Sequence, residues 1–138
     1  TQWPGHAPER IPTLSQVLEL MKPTGLEVNI ELKSATVIYP DIEARAVALV
    51  KSLGMENRVI YSSFNHYSLM LVRKADPDAR IGLLYQCAMV DPWVYALHLR
   101  AQAIHPYYPA LMVPGVIEGC RRTTMRTASV WRRQASTP

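Results

Sequence analysis

Stretches with helical periodicity and stretches with strand character alternate strictly along this chain. That order constrains the fold more than any single motif does. Leu14, Val17, Leu18 and Met21 recur at helical spacing behind a capping box of Thr13 and Gln16, so a helix is expected over 14–22, ended by Pro23 and Gly25. A strand is expected over 27–33. Asp41 can cap the next helix, DIEARAVALVKSLG, whose buried stripe is Ile42, Ala46, Leu49, Val50 and Leu53 and whose stop is Gly54. VIYSSF (59–64) reads as a strand, and a helix capped by Asn65 or Ser63 runs from there to about Lys74. IGLLY (81–85) is a third strand. Asp91-Pro92 opens WVYALHLRA, with proline at the first helical position. AIHPYY (103–108) is a fourth strand, Pro114 begins a helix through about Arg122, and SVW (129–131) is the candidate fifth strand.

Helix–strand alternation argues an α/β fold with a parallel sheet. VIYSSF and IGLLY are nearly continuous in apolar residues, as strands covered on both faces should be. VNIELKS (28–34) is different. Val28, Ile30 and Leu32 share one face, and Asn29, Glu31 and Lys33 share the other. In a lone antiparallel sheet the second face would simply meet water. In a parallel sheet a Glu and a Lys there must pair, or lie at the carboxyl mouth of the strands where such folds keep their sites. The functional reading of Glu31 and Lys33 is therefore the expectation.

The 138 residues suffice for one domain with a real core, and 49% apolar with 19% charged residues is a globular composition. The net charge of +4 comes from a late cluster, Arg121, Arg122, Arg126, Arg132 and Arg133. That cluster has neither the interleaved aromatics nor the module of a nucleic-acid binder, so no nucleic-acid partner is expected. Cys87 and Cys120 make no disulfide framework and have no second ligand at metal spacing, and Cys87 is expected as a small core residue of the third strand. No apolar run is long enough for a transmembrane segment. The loop-like TQWPGHAPER opens on Thr1, and further sequence is expected upstream; a cytoplasmic location is the expectation.

Neither G-x-G-x-x-G nor G-x-x-x-x-G-K-[ST] occurs, so nucleotide binding by those loops has no support. Four or five strands are also too few to close a (β/α)8 barrel, which typically needs about 250 residues. The motif order is informative here. ERIPTLSQVLELMK, then NIELK, then a strand ending in SSF, resembles the glycerophosphodiester phosphodiesterase family, whose phrases are close to R-I-P-T-L-x-E-V-L, N-I-E-I-K and S-S-F. Arg10 to Leu18, Asn29 to Lys33 and Ser62 to Phe64 carry the match. It covers most of residues 9–120 and fades at Val130-Trp131, where the family's W-T-V-N is replaced by Arg132-Arg133-Gln134.

The resemblance implies a partial (β/α)8 TIM barrel, roughly strands four to eight. Residues 1–122 would be the C-terminal part of the barrel domain and 123–138 a divergent basic tail. It implies a phosphoric diester hydrolase that cleaves glycerophosphodiesters to glycerol 3-phosphate and an alcohol, in phospholipid metabolism. It also implies a divalent metal, Mg²⁺ or Ca²⁺, held by three carboxylates of which Glu31 is one, with Lys33 facing the phosphate. The family's two acid–base histidines and the other two carboxylates belong to the half that is absent, so the fragment alone is expected to be inactive.

The chemistry of the two residues agrees with this. A hard divalent cation prefers carboxylate oxygens, and a phosphodiester transition state needs its charge neutralised. Residues i and i+2 of one strand lie about 6.5–7 Å apart, enough to flank one phosphate. Phe64 and Trp131 are candidates for the substrate mouth. His105, beside Pro106 at a strand end, is the histidine best placed for a pocket, while His6, His66 and His98 are expected at the surface or capping. Ser62 and Ser63 have no neighbouring base in sequence, which leaves a serine nucleophile unsupported. The alternative reading is a non-catalytic half barrel that binds a ligand or pairs with a second half, since open sheet edges favour association.

Overall fold

The computed structural model describes Gly5 and residues 10–127. Five strands, β1 (Val28–Glu31), β2 (Val59–Ser63), β3 (Arg80–Tyr85), β4 (Ala103–Pro106) and β5 (Arg126–Thr127), form one sheet in sequence order. Every neighbouring pair is parallel. The helices α1 (Leu14–Met21), α2 (Ile42–Ser52), α3 (His66–Ala75), α4 (Pro92–His98) and α5 (Val116–Arg122) alternate with them. Sequential order with a helix in each crossover is the winding of a barrel segment rather than of a doubly wound sheet, whose strand order reverses.

The sheet has two faces of different character. Ile30 and Leu32, Val59 and Tyr61, Ile81, Leu83 and Tyr85, and Ile104 form one core with Leu18 of α1, Val47 and Val50 of α2, Leu69 and Val72 of α3, Ala96 of α4 and Val116 of α5. This is the convex, helix-covered face. The other face carries Asn29 and Glu31, Ile60 and Ser62, Gly82 and Leu84, and Ala103 and His105, by alternation along registered strands. It is concave and open over β1, where Asn29, Glu31 and Lys33 are exposed. The expectation that both faces are covered therefore holds for β2 and β3 but not for β1, a strand at the end of the described sheet.

Local chemistry explains most element ends. Thr13 and Gln16 form the expected reciprocal cap of α1. Gly25 takes φ 73° after the short 3₁₀ turn Lys22–Thr24. Arg58 closes this end, donating to the carbonyls of Met21, Lys22 and Leu26 at 2.7–3.1 Å. Asp41 and Asp91 precede α2 and α4 as expected, but both sit in left-handed backbone (φ 60° and 47°) and neither side chain caps its helix. Asp tolerates that conformation better than most residues, so these aspartates serve the turn rather than the helix end. The fifth strand is Arg126–Thr127; the expected SVW strand and Trp131 lie outside the described residues, as does His6. Arg126 thus joins the sheet although it falls in the stretch set apart as a basic tail. Cys87 is exposed in the loop after β3, because the strand ends at Tyr85 before reaching it.

Candidate active site at the strand carboxyl ends

The register places Glu31, Ser62, Gly82, Ala103 and Arg126 in one row across the sheet. Two residues further along each chain come Lys33, Phe64, Leu84 and His105, an upper row at the carboxyl mouth. The backbones of three of the sequence-derived site residues, Lys33, Phe64 and His105, therefore share this row, one step above the row of Glu31.

Glu31, Lys33 and Phe64 line a cleft of about 200 Å³ together with Leu32, Ala35 and Thr36. Phe64 is half exposed there. Glu31 and His105 line a second, larger cavity of about 490 Å³ along the concave face, with Asn29, Ile60, Leu84 and Ala103. Glu31 stands at the junction of the two. Trp131 lies outside the described residues.

The SSF motif acquires a physical role. Ser63 is fully buried, and its hydroxyl donates to the Leu32 carbonyl at 2.6 Å while accepting from the Asn65 amide at 3.1 Å. Asn65 Nδ2 donates to the Ser34 carbonyl at 3.2 Å. The backbone between Glu31 and Lys33 is thus fastened to the start of α3. Phe64 lies between these two clamps, so the cleft is shaped by bonds on both of its walls.

His105 is buried, 6% exposed. Burial first, and the positive charge of Arg126 second, hold its imidazole below the ordinary histidine range, so the ring is neutral near pH 7. His66 is not simply at the surface. Its Nε2 lies 2.9 Å from the Leu84 carbonyl and must donate to it, and its Nδ1 lies 3.1 Å from the Tyr95 hydroxyl. His66 therefore ties the start of α3 to the end of β3 and to α4. His98, the last residue of α4, is exposed.

At the opposite, amino-terminal end of the concave face Glu27 binds both Arg80 (2.5 Å) and Arg126 (3.0 Å). These two guanidiniums pull the Glu27 carboxyl down to about 2. No local sequence pattern marks this cluster, because Glu27 precedes β1 while Arg80 and Arg126 open β3 and β5.

Among the described residues no three His, Cys, Asp or Glu side chains gather as a metal centre. Glu31 has the right chemistry for a hard cation and is exposed on the concave face, with the amide of Asn29 one step below it. One carboxylate does not close a Mg²⁺ or Ca²⁺ site, so the described residues supply at most part of one.

A parallel sheet wound in sequence order, with polar side chains at the strand carboxyl ends, defines a partial (β/α)8 barrel. The comparisons with known proteins agree with that class. No family model matches the chain. It is 48% identical over 120 residues to a glycerophosphodiester phosphodiesterase of Caldanaerobacter subterraneus, covering 87% of this chain and 49% of that protein. It is 35% identical over 97 residues to one of Bacillus altitudinis, covering 70% and 40% respectively. A crystal structure of a glycerophosphodiester phosphodiesterase from Parabacteroides distasonis superposes with a TM-score of 0.72 at 23% identity, covering 88% of this chain and 51% of that one. By sequence and by fold the chain is related to the glycerophosphodiester phosphodiesterases, and it spans about half the length of these relatives.

Proposed function

We propose that this chain supplies the C-terminal half of a barrel that hydrolyses glycerophosphodiesters to glycerol 3-phosphate and an alcohol. The observation that carries the reading is the joint lining of one mouth cleft by Glu31, Lys33 and Phe64. The names of the relatives supply the substrate class.

In this reading the Lys33 ammonium faces the phosphate and offsets charge that grows in the transition state. The Phe64 ring walls the cleft and excludes water from one side. Glu31 would give one carboxylate to a Mg²⁺ or Ca²⁺ ion, which when bound would polarise the phosphoryl oxygen. Ser63 and Asn65 hold the Glu31–Lys33 backbone in register with the helix behind it. Acid–base groups come from elsewhere in a complete barrel, so the 138 residues alone turn over nothing above background.

The test is a chimera in which residues 10–127 replace the matching half of the Caldanaerobacter relative. Hydrolysis of glycerophosphocholine in the presence of Mg²⁺ or Ca²⁺ is the expected result, with a loss of 100-fold or more on Glu31→Ala, on the order of that seen for a lost transition-state contact. A folded chimera whose activity ignores Glu31 would overturn the assignment. Turnover by the isolated chain would overturn its predicted inactivity.

The exposed concave face of β1 favours a second reading, in which copies of this chain associate through it. A clean monomer on size exclusion, with a cooperative melt, would exclude that reading.

A further inference from the structure

Gly82 stands in the interior of β3, where a glycine weakens a strand unless something approaches it closely. Here the neighbour is a side chain. A Cβ built at Gly82 would lie 2.8 Å from Cε1, 3.0 Å from Nε2 and 3.2 Å from Nδ1 of His105. All three atoms belong to the polar edge of the imidazole. His105 pairs in register with Leu84, not with Gly82, so its ring leans back by one full step of the sheet. It comes to rest at the level of Glu31, the row that Gly82 and Ala103 share. Two small residues in that row leave the room that the ring occupies. A large side chain at Gly82 would keep the His105 ring up at the mouth, in the row of its register partner Leu84.

We infer that Gly82 is a positioning residue that seats His105 at the level of Glu31, where the imidazole reads a hydroxyl of the ligand while Lys33 takes its phosphate. The inference rests on the glycerophosphodiester reading of the same site. A neutral imidazole has one donor and one acceptor nitrogen, the pattern that a hydroxyl matches. An ammonium has donors and charge only, the pattern that a phosphate matches. His105 and Glu31 line one cavity, Glu31 and Lys33 line a neighbouring cleft, and Glu31 is common to both.

The seat itself is tested by a double-mutant cycle in the full 138-residue chain. Gly82→Ala should lower the melting temperature by roughly 5 °C when His105 is present, and by far less in a His105→Ala background, where nothing remains to clash. Equal losses in both backgrounds would overturn the seating.

The reading of the ligand is tested by NMR titration with two probes, glycerol 3-phosphate and inorganic phosphate. Glycerol 3-phosphate should move the Lys33, Phe64 and His105 side-chain signals together, and inorganic phosphate should move Lys33 without His105. In Gly82→Ala the Lys33 signal should still respond to glycerol 3-phosphate while the His105 response is lost. If Lys33 responds in the wild-type chain but His105 does not, this inference falls and the site reading stands. If His105 responds equally to inorganic phosphate, it is an anion contact and the hydroxyl assignment falls. If no signal responds, the site reading and this inference fall together.

Discussion

Glu27 and Arg126 lie 99 residues apart in sequence and meet at 3.0 Å, one just before the first strand and the other at the start of the fifth. In a flat sheet four interstrand steps of about 4.8 Å would separate their strands by about 19 Å. The contact therefore requires the sheet to curl toward its concave face. Arg80, on the middle strand, binds the same carboxylate at 2.5 Å and completes a bridge across the arc.

This bridge makes stability depend on acid. The Glu27 pKa is lowered from 4.5 to about 2 by its hydrogen bonds and charge contacts with Arg126 and Arg80. A lowered carboxylate pKa stabilises the fold fully above the unfolded value and loses that stabilisation as pH falls through the folded value. Melting temperature should accordingly drop between pH 4.5 and about 2. Glu27→Gln should remove that part of the drop, and added salt should shrink it because the pair is exposed. Thermal melts of both proteins across this window check it; identical pH profiles would refute it.

Arg58 fastens the end of α1 to the start of β2 through the carbonyls of Met21, Lys22 and Leu26. Arg58→Ala should destabilise the chain by about 2 kcal/mol, since several charge-assisted bonds are lost and water replaces only some of them. Arg58→Lys should recover less than half, because an ammonium lacks the planar fork that reaches three carbonyls. Urea midpoints measure both.

Ser63 is predicted to matter for the site as well as for stability. Ser63→Ala leaves the buried Leu32 carbonyl without its donor at a cost of about 1–3 kcal/mol. The same change frees the backbone between Glu31 and Lys33. Amide hydrogen exchange over residues 31–34 should rise more than exchange in β3. A uniform rise across the sheet would show global destabilisation instead.

Lys33→Met should weaken binding of glycerol 3-phosphate roughly tenfold at low salt, and less at high salt. Lys51 offers the control. It pairs with Asp76 at 3.4 Å, away from the strand carboxyl ends, and Lys51→Met should leave affinity unchanged. Equal losses in the two variants would point to net charge rather than to a site.

Much of the architecture was legible from one-dimensional pattern. The capping box at Thr13, the 3.6-residue stripe of α2 and the β-type runs are local properties, and parallel winding follows from their alternation. The i, i+2 spacing of Glu31 and Lys33 put them on one face, and the structure keeps them there with Phe64. What escaped was the set of relations between strands. Leaning of His105 onto Gly82, binding of Glu27 by two arginines and clamping of Leu32 by Ser63 each join residues 20 or more apart in sequence. No periodicity encodes them, because they depend on register and curvature. His66 shows the same limit: its sequence neighbours mark a helix start, but its partners, Leu84 and Tyr95, arrive only when β3 and α4 are in place. Side-chain alternation within short segments marked the first four strands, the five helices and the polar face of the first strand, but not the short β5 at Arg126–Thr127. The tertiary structure alone decided which groups meet on the concave face, since that depends on how the parallel strands are staggered and curled.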